Sequence, residues 1–241
     1  MSTRNPFEAP EVTSRRGGRT KQPLSREGIV SAALDLLARD GTEGMSLRRV
    51  AAALDTGAAT LYAYVEDLQE LQALVLDKAL GDVQTKTSTR REWRYRLVAV
   101  LKSYFTVLSQ TPGLAQLGMN TIATGPNAIR IIETLLGFMD EAGVAPETAA
   151  WAVDLLLLYV TSIAVEVSHR LPSPDPLAPI ARALGTVSAT EFPRVFALRE
   201  QLLSGDGPTR FDWAIEVLLS GILQTPRAAP ARPSRKSGRE H

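Results

Sequence analysis

Apolar residues recur at intervals of three and four along most of this chain, and no stretch alternates strictly, so the pattern predicts helices and no strands. Ile29, Ala32, Ala33, Leu36 and Leu37 form one helical face between a capping Ser25 and a terminating Gly41. Leu47, Val50, Ala51 and Leu54 form a second behind Ser46, with Met45 and Val50 placed as a hydrophobic staple. Asp55-Thr56-Gly57 breaks that pattern, and Gly57 is the residue expected to take positive φ. A third helix is predicted from Ala58 to Tyr64 and a fourth from 68 to 80, opened by the acids Glu66 and Asp67. Further helices are predicted at 93–110, 114–122, 128–142, 146–170, 177–186, 190–204 and 209–223. Gly and Pro clusters separate them, among them Thr111-Pro112-Gly113, Gly125-Pro126 and the run from Leu171 to Pro176. The fold class is all-α.

Polarity divides the chain. Residues 1–23 and 224–241 are rich in Pro, Arg, Ser, Gly and Ala without periodicity, and are expected to be disordered basic segments. The polar stretch 81–91 marks a boundary, which gives an N-terminal unit at 24–80 and a helical regulatory and dimerisation unit at 93–223. Charge follows the same division. Residues 1–24 carry five basic and two acidic residues, a net +3; 25–80 carry five and nine, a net −4; 224–241 carry five and one, a net +4.

The stretch from Ser46 to Val65 has the grammar of a helix-turn-helix: a bracing helix, a tight turn, and a helix able to enter the major groove. Arg48-Arg49-Val50-Ala51 and Thr60-Leu61-Tyr62-x-Tyr64-Val65, with the helix before them, resemble the DNA-binding unit of the TetR/AcrR repressors over roughly residues 24–80. The resemblance implies that Arg48, Ala58, Ala59, Thr60, Tyr62 and Tyr64 face DNA, with Arg49 beside them. Arginine can bind guanine bidentately, methyl groups can touch the thymine methyl, and tyrosine hydroxyls suit phosphate oxygens. Leu61 and Val65 are read as core. Leu68 stands where the family usually carries a phosphate-gripping lysine, so that corner is expected to contribute little. The basic run Arg15, Arg16, Arg19 and Lys21 reads as an arm able to reach phosphates or the minor groove. The resemblance further implies a homodimer, paired through 146–170 and 209–223, on an approximately palindromic operator.

The residue inventory narrows the chemistry. The chain has no cysteine and two histidines, His169 and His241. That removes disulfides, cysteine nucleophiles and zinc fingers, and argues against metal sites and His-dependent triads. No cofactor is expected. No secretory signal is visible, and the apolar region Trp151–Val167 carries Asp154 and Glu166, so it reads as a buried helix of a cytoplasmic protein. Along 146–170 the residues Asp154, Ser162, Glu166 and His169 admit two readings: polar anchors of a ligand cavity, or a solvent or dimer face. Tyr104, Phe105, Met119, Asn120, Phe138, Trp151 and Tyr159 complete the candidate ligand contacts. The sequence therefore reads as a transcriptional regulator released from its operator by a small molecule. A DNA-binding protein without an effector and a helical-bundle enzyme stand as alternatives.

Overall fold

The computed structural model describes residues 6–7, 24–88, 91–170, 175 and 177–227. Helix α1 runs Arg26–Asp40, with the Ser25 hydroxyl accepting from the Gly28 N–H at 3.1 Å. A 3-10 turn, Thr42–Gly44, leads to α2, Leu47–Ala53, capped by Ser46 through the Arg49 N–H at 3.3 Å. Helix α3 is a single turn, Ala58–Leu61, shorter than the predicted 58–64. Residues 62–65 continue it as a tight turn, with the Tyr64 and Val65 N–H groups both bonded to the Leu61 carbonyl. Helix α4 spans Leu68–Leu80.

The turn between α2 and α3 differs from expectation. Asp55, not Gly57, takes the left-handed conformation, at φ +48°, while Gly57 lies at φ −84° as the N-cap of α3. The hydrogen bonds account for this. The Thr56 N–H reaches back to the Ala51 carbonyl at 2.9 Å and the Asp55 N–H to Ala52 at 3.1 Å, a Schellman closure that needs a left-handed residue directly after the C-cap Leu54. Asp tolerates that conformation better than most side chains.

The first four helices close on Ile29, Leu37, Val50, Leu61, Val65 and Leu71, all at or near zero exposure. The start of α4 is locked to the start of α1. Asp67 accepts from the Glu70 N–H at 2.8 Å, Glu70 accepts from the Glu66 N–H at 2.6 Å, and the Glu70 carboxylate also pairs with Arg26. This is a reciprocal cap of the capping-box kind with an ion pair added.

The remaining helices are α5 (Trp93–Gln110), α6 (Leu114–Asn120), α7 (Pro126–Glu141), α8 (Pro146–Arg170), α9 (Ala178–Gly185), α10 (Pro193–Leu203) and α11 (Gly207–Gln224). Helix α8 is central and packs on α5, α6, α7 and α11. At 25 residues, with a segment Pro146–Ser168 of mean hydropathy 1.8, it is long and apolar enough to cross a bilayer by length and composition. Its packed face, from Ala152 and Leu156 to Val160 and Ala164, makes it the core helix of this bundle. Ion pairs on the surface join α5 to α11 through Arg94–Glu216 and Lys102–Asp212, and α5 to α7 through Arg96–Glu141.

Helix α4 packs on both groups. Two glycines permit close approach between them. Gly113, at φ +78°, lies against the turn after α1: a Cβ there would sit 2.9 Å from the Thr42 nitrogen and from a Leu37 methyl. Gly125 lies against Asp77 of α4, where a Cβ would fall 2.2 Å from the carboxylate. Asp77 is 5 % exposed and caps α7. Its Oδ1 accepts from the Asn127 and Ala128 N–H groups, each at 3.0 Å, and its Oδ2 from the Asn127 amide at 3.1 Å. In return Arg130 of α7 donates to the Leu80 and Gly81 carbonyls at the end of α4, at 3.4 and 3.2 Å.

Asp77→Ala leaves two backbone N–H groups without their acceptor and the Asn127 amide with the Asp77 carbonyl alone, and we predict a loss of about 2–3 kcal/mol. For a chain of this size the thermal midpoint should then fall by roughly 4–12 °C, read by circular dichroism. An unchanged midpoint would show that the carboxylate contributes nothing to the junction.

Candidate nucleic-acid interface and internal cavity

Both helices of the helix-turn-helix, and Asp55 and Gly57 in the turn between them, present exposed residues. Arg48, Ala52 and Ala53 of α2, and Ala59, Thr60, Tyr62 and Ala63 at α3, are exposed, and Ala58 is half-buried. Tyr62 is 58 % exposed. Arg48 makes no ion pair with any described residue. This edge therefore presents a guanidinium, methyl groups and two hydroxyls, the groups that read guanine edges, thymine methyls and phosphates.

The structure corrects one of the expected contacts, Tyr64, and gives another, Arg49, partners within the unit. Tyr64 is buried at 6 % exposure, and its hydroxyl donates to the Leu24 carbonyl at 3.2 Å. The single-turn α3 accounts for this: after Leu61 the chain turns inward, and Tyr64 seals the core beneath the start of α1. Arg49 is exposed but committed. It pairs with Asp40 at the end of α1 and donates to the Glu43 carbonyl at 3.4 Å, so it braces α2 on the turn behind it. Asp40 also takes a bidentate bond from Arg39, which holds its carboxyl below the usual carboxylate range. The acidity of this unit is thereby accounted for in part. Asp40, Asp67, Glu70 and Asp77 all hold the fold together through their oxygens. Arg15, Arg16, Arg19 and Lys21 lie outside the described residues.

The candidate ligand residues are distributed over three places. Tyr104, Met119 and Asp154 line one cavity of about 370 Å³ between α4, α5, α6, α7 and α8, closed also by Leu80 and Ala128. Its floor is a buried hydroxyl pair: Tyr104 and Thr161 lie 2.9 Å apart. Burial pushes the Tyr104 phenol up, so the ring stays neutral. Phe105, Tyr159 and Glu166 gather elsewhere, around Phe211. Phe105 and Phe211 ring centroids are 5.5 Å apart, Tyr159 and Phe211 6.3 Å, and Tyr159 with Glu166 borders a hollow of about 740 Å³ beneath α10. Burial, and then the Glu166 charge, raise the Tyr159 phenol. That hollow is the larger, but none of its wall comes from α4.

The other candidates do not line the first cavity. Phe138 is core, with the Arg96 guanidinium 5.0 Å over its ring. Trp151 is 61 % exposed on the outer face of α8, where the Arg227 guanidinium stacks 3.7 Å over it. Asn120 is exposed at the end of α6, and Ser162 is exposed with its hydroxyl returned to the Tyr159 carbonyl at 2.7 Å. The His169 side chain lies outside the described residues. Sequence reasoning missed Thr161, which lies seven residues, two helical turns, after Asp154. It also missed Leu80 and the loop residues Thr121–Ala123, for which no periodic signal exists.

Comparison with known proteins agrees with this geometry. A family model described as the tetracyclin repressor-like C-terminal domain matches residues 87–225, and one for bacterial regulatory proteins of the tetR family matches residues 29–66. An HTH-type transcriptional regulator of Saccharopolyspora erythraea is 34 % identical over 125 residues, 52 % of this chain and 53 % of that protein. The chain thus spans about half the length of the curated relatives it matches. A transcription regulator of Streptomyces coelicolor of known structure is 36 % identical with a TM-score of 0.72, over 88 % of this chain and 100 % of that one. ActR from Streptomyces coelicolor is 30 % identical with a TM-score of 0.78, over 85 % and 97 %. Helix-turn-helix edge, helical bundle and sequence agree, and the chain belongs to the TetR family of transcriptional regulators.

Proposed function

We propose that this protein is a homodimeric, cytoplasmic transcriptional repressor, without catalytic activity, that leaves a palindromic operator when a small molecule occupies the cavity between α4 and α8. One observation carries the reading. The cavity wall includes Leu80 at the end of α4, the helix that follows the helix-turn-helix, and Ala128 at the start of α7, which α4 caps. A ligand there presses on the element that positions the DNA-reading edge. ActR, similar in fold and sequence, has been solved both free and in complex with actinorhodin, which supports a ligand-responsive body.

In this reading residues 24–80 are the DNA-binding unit and 93–223 the regulatory unit. Arg48 carries the main base contact, Ala58, Ala59 and Thr60 offer methyl surface, and Tyr62 donates to a phosphate. The basic segments 1–23 and 224–241 add counterion-release affinity that the acidic unit lacks. Two subunits pair through the exposed apolar faces of α8 and α11. Trp151 and Leu155 on α8, and Trp213 and Val217 on α11, are between 43 % and 69 % exposed, which is unusual for side chains of this size. The effector works by linkage: it binds more tightly to the arrangement in which the two reading edges are mis-spaced. A regulator without an effector would call for a filled body, and the cavity of about 370 Å³ favours the effector reading over that alternative.

Gel-shift of the full chain on its own upstream DNA should give a retarded band that a suitable effector abolishes. Arg48→Ala should weaken that binding by about 5- to 150-fold, the equivalent of roughly 1–3 kcal/mol for a lost bidentate pair. Retention of full operator preference by that variant would overturn the assignment of Arg48. Tyr64→Phe should behave in the opposite way, keeping operator affinity while losing about 0.5–1.5 kcal/mol of stability with the Leu24 hydrogen bond. Trp213→Glu places a charge on the pairing face and should yield monomers in sedimentation analysis, with operator binding lost alongside. A monomeric wild-type chain that still binds the operator would remove the dimer from the mechanism.

A further inference from the structure

The cavity between α4 and α8 has a polarity that selects its occupant. Its floor is a directed hydrogen-bond chain. The Thr161 hydroxyl donates to the Leu157 carbonyl at 2.8 Å, so the proton between Tyr104 and Thr161 at 2.9 Å must come from Tyr104. Tyr104 Oη then has its donor used and its lone pairs left over, and presents an acceptor to the cavity. At the other end stands Asp154, exposed at the rim, with no ion pair to any described residue. Among the described residues that line the cavity there is no lysine, arginine or histidine. Both polar ends therefore accept, and apart from the Thr121 hydroxyl the wall between them is apolar, with Ile122, Ile131, Ile132, Leu157 and Leu158. Asp154 and Thr161 are two turns apart on one face of α8, about 10 Å along the axis.

Building on the effector reading above, we propose that the cavity takes an amphiphilic organic cation. Its ammonium group sits on the Asp154 carboxylate, its apolar body fills the space between, and a hydroxyl or N–H at its far end donates to Tyr104 Oη, which lies against Thr161 two turns further along α8. An anion of the same shape meets one carboxylate and no counter-charge, so it is rejected at the rim. A metal ion is a poor alternative occupant, because no group of three or more His, Asp or Glu side chains gathers among the described residues. Asp154 is thus the specificity residue, and Tyr104 sets the orientation of the ligand.

The test uses three probes of one shape, measured by titration calorimetry on the full-length protein: 4-(4-aminobutyl)phenol, 4-(4-hydroxybutyl)phenol and 4-(4-hydroxyphenyl)butanoic acid. The amine should bind tightest, at least about tenfold ahead of the neutral alcohol, the scale of one charge-assisted hydrogen bond. The acid should bind weakest. Asp154→Asn, an exposed substitution that leaves the core untouched, should erase the preference for the amine and keep the affinity for the alcohol. Ala123→Phe, which fills the cavity mouth, should abolish binding of all three probes. Equal binding of amine and alcohol, or tightest binding of the acid, overturns the cation inference and leaves the effector site standing. Amine binding that survives Ala123→Phe places the ligand elsewhere and overturns it too. Failure of all three probes on the wild-type protein counts against the cavity as an effector site, and the cation inference falls with it.

Discussion

Two helices terminate each other. Helix α4 ends where α7 begins, and each supplies the groups that the other's backbone lacks. Asp77 offers a carboxylate to the free N–H groups of α7, and Arg130 offers a guanidinium to the free carbonyls of α4. The charges also match the helix dipoles, negative at an N-terminus and positive at a C-terminus. Buried as it is, Asp77 cannot exchange these partners for water without opening the junction. This pair of caps is one of the places where the first four helices meet the rest of the bundle; the approach of Gly113 to the turn after α1 is another. Ala128 concentrates the relation in one residue: its N–H is held by Asp77, and its methyl lines the cavity.

The helix-turn-helix looked too acidic to hold DNA, and the structure shows how that composition is used. Four of its nine acids, Asp40, Asp67, Glu70 and Asp77, brace the unit, at the ends of helices and against Arg26, Arg39 and Arg49. What remains on the exposed edge is small and sparsely charged, with Arg48 as its guanidinium. Such an edge reads shape and a few base atoms more than it gathers phosphates. In the function proposed above, pairing two edges and the basic segments at either terminus supply the phosphate contacts that this edge lacks.

The helices were legible in the sequence because their periodicity and their caps agree. Ser25, Ser46 and Asp67 each accept the N–H three residues on, as their positions suggest. Local turn geometry was less legible. Gly57 carried the obvious signal for positive φ, yet the Schellman closure of α2 needed it two residues earlier, at Asp55. Tyr64 misled for a related reason: in a longer helix it would face outward, and a one-turn α3 rotates it into the core. The candidate ligand residues were legible only as a chemical inventory. Tyr104, Met119 and Asp154 come from three helices, and their meeting depends on how α6 and its following loop fold over α8. No pattern within a single segment encodes that. Asp77, an acid inside an apolar stripe, was the strongest unread signal, since a charge is seldom buried without partners.

The two close approaches also bear on modularity. Exchange of a DNA-reading unit between relatives invites a cut in the polar stretch 81–91, where composition changes most. Such a cut would carry Asp77 away from Gly125, and the turn at Gly41 and Thr42 away from Gly113. Each is a contact in which one side is shaped to the absence of a side chain on the other. A graft would therefore succeed only from a donor with an acid at the position of Asp77 and room opposite Gly113. In engineering terms the joint between the units is a fitted lock, and the linker that spans it is incidental.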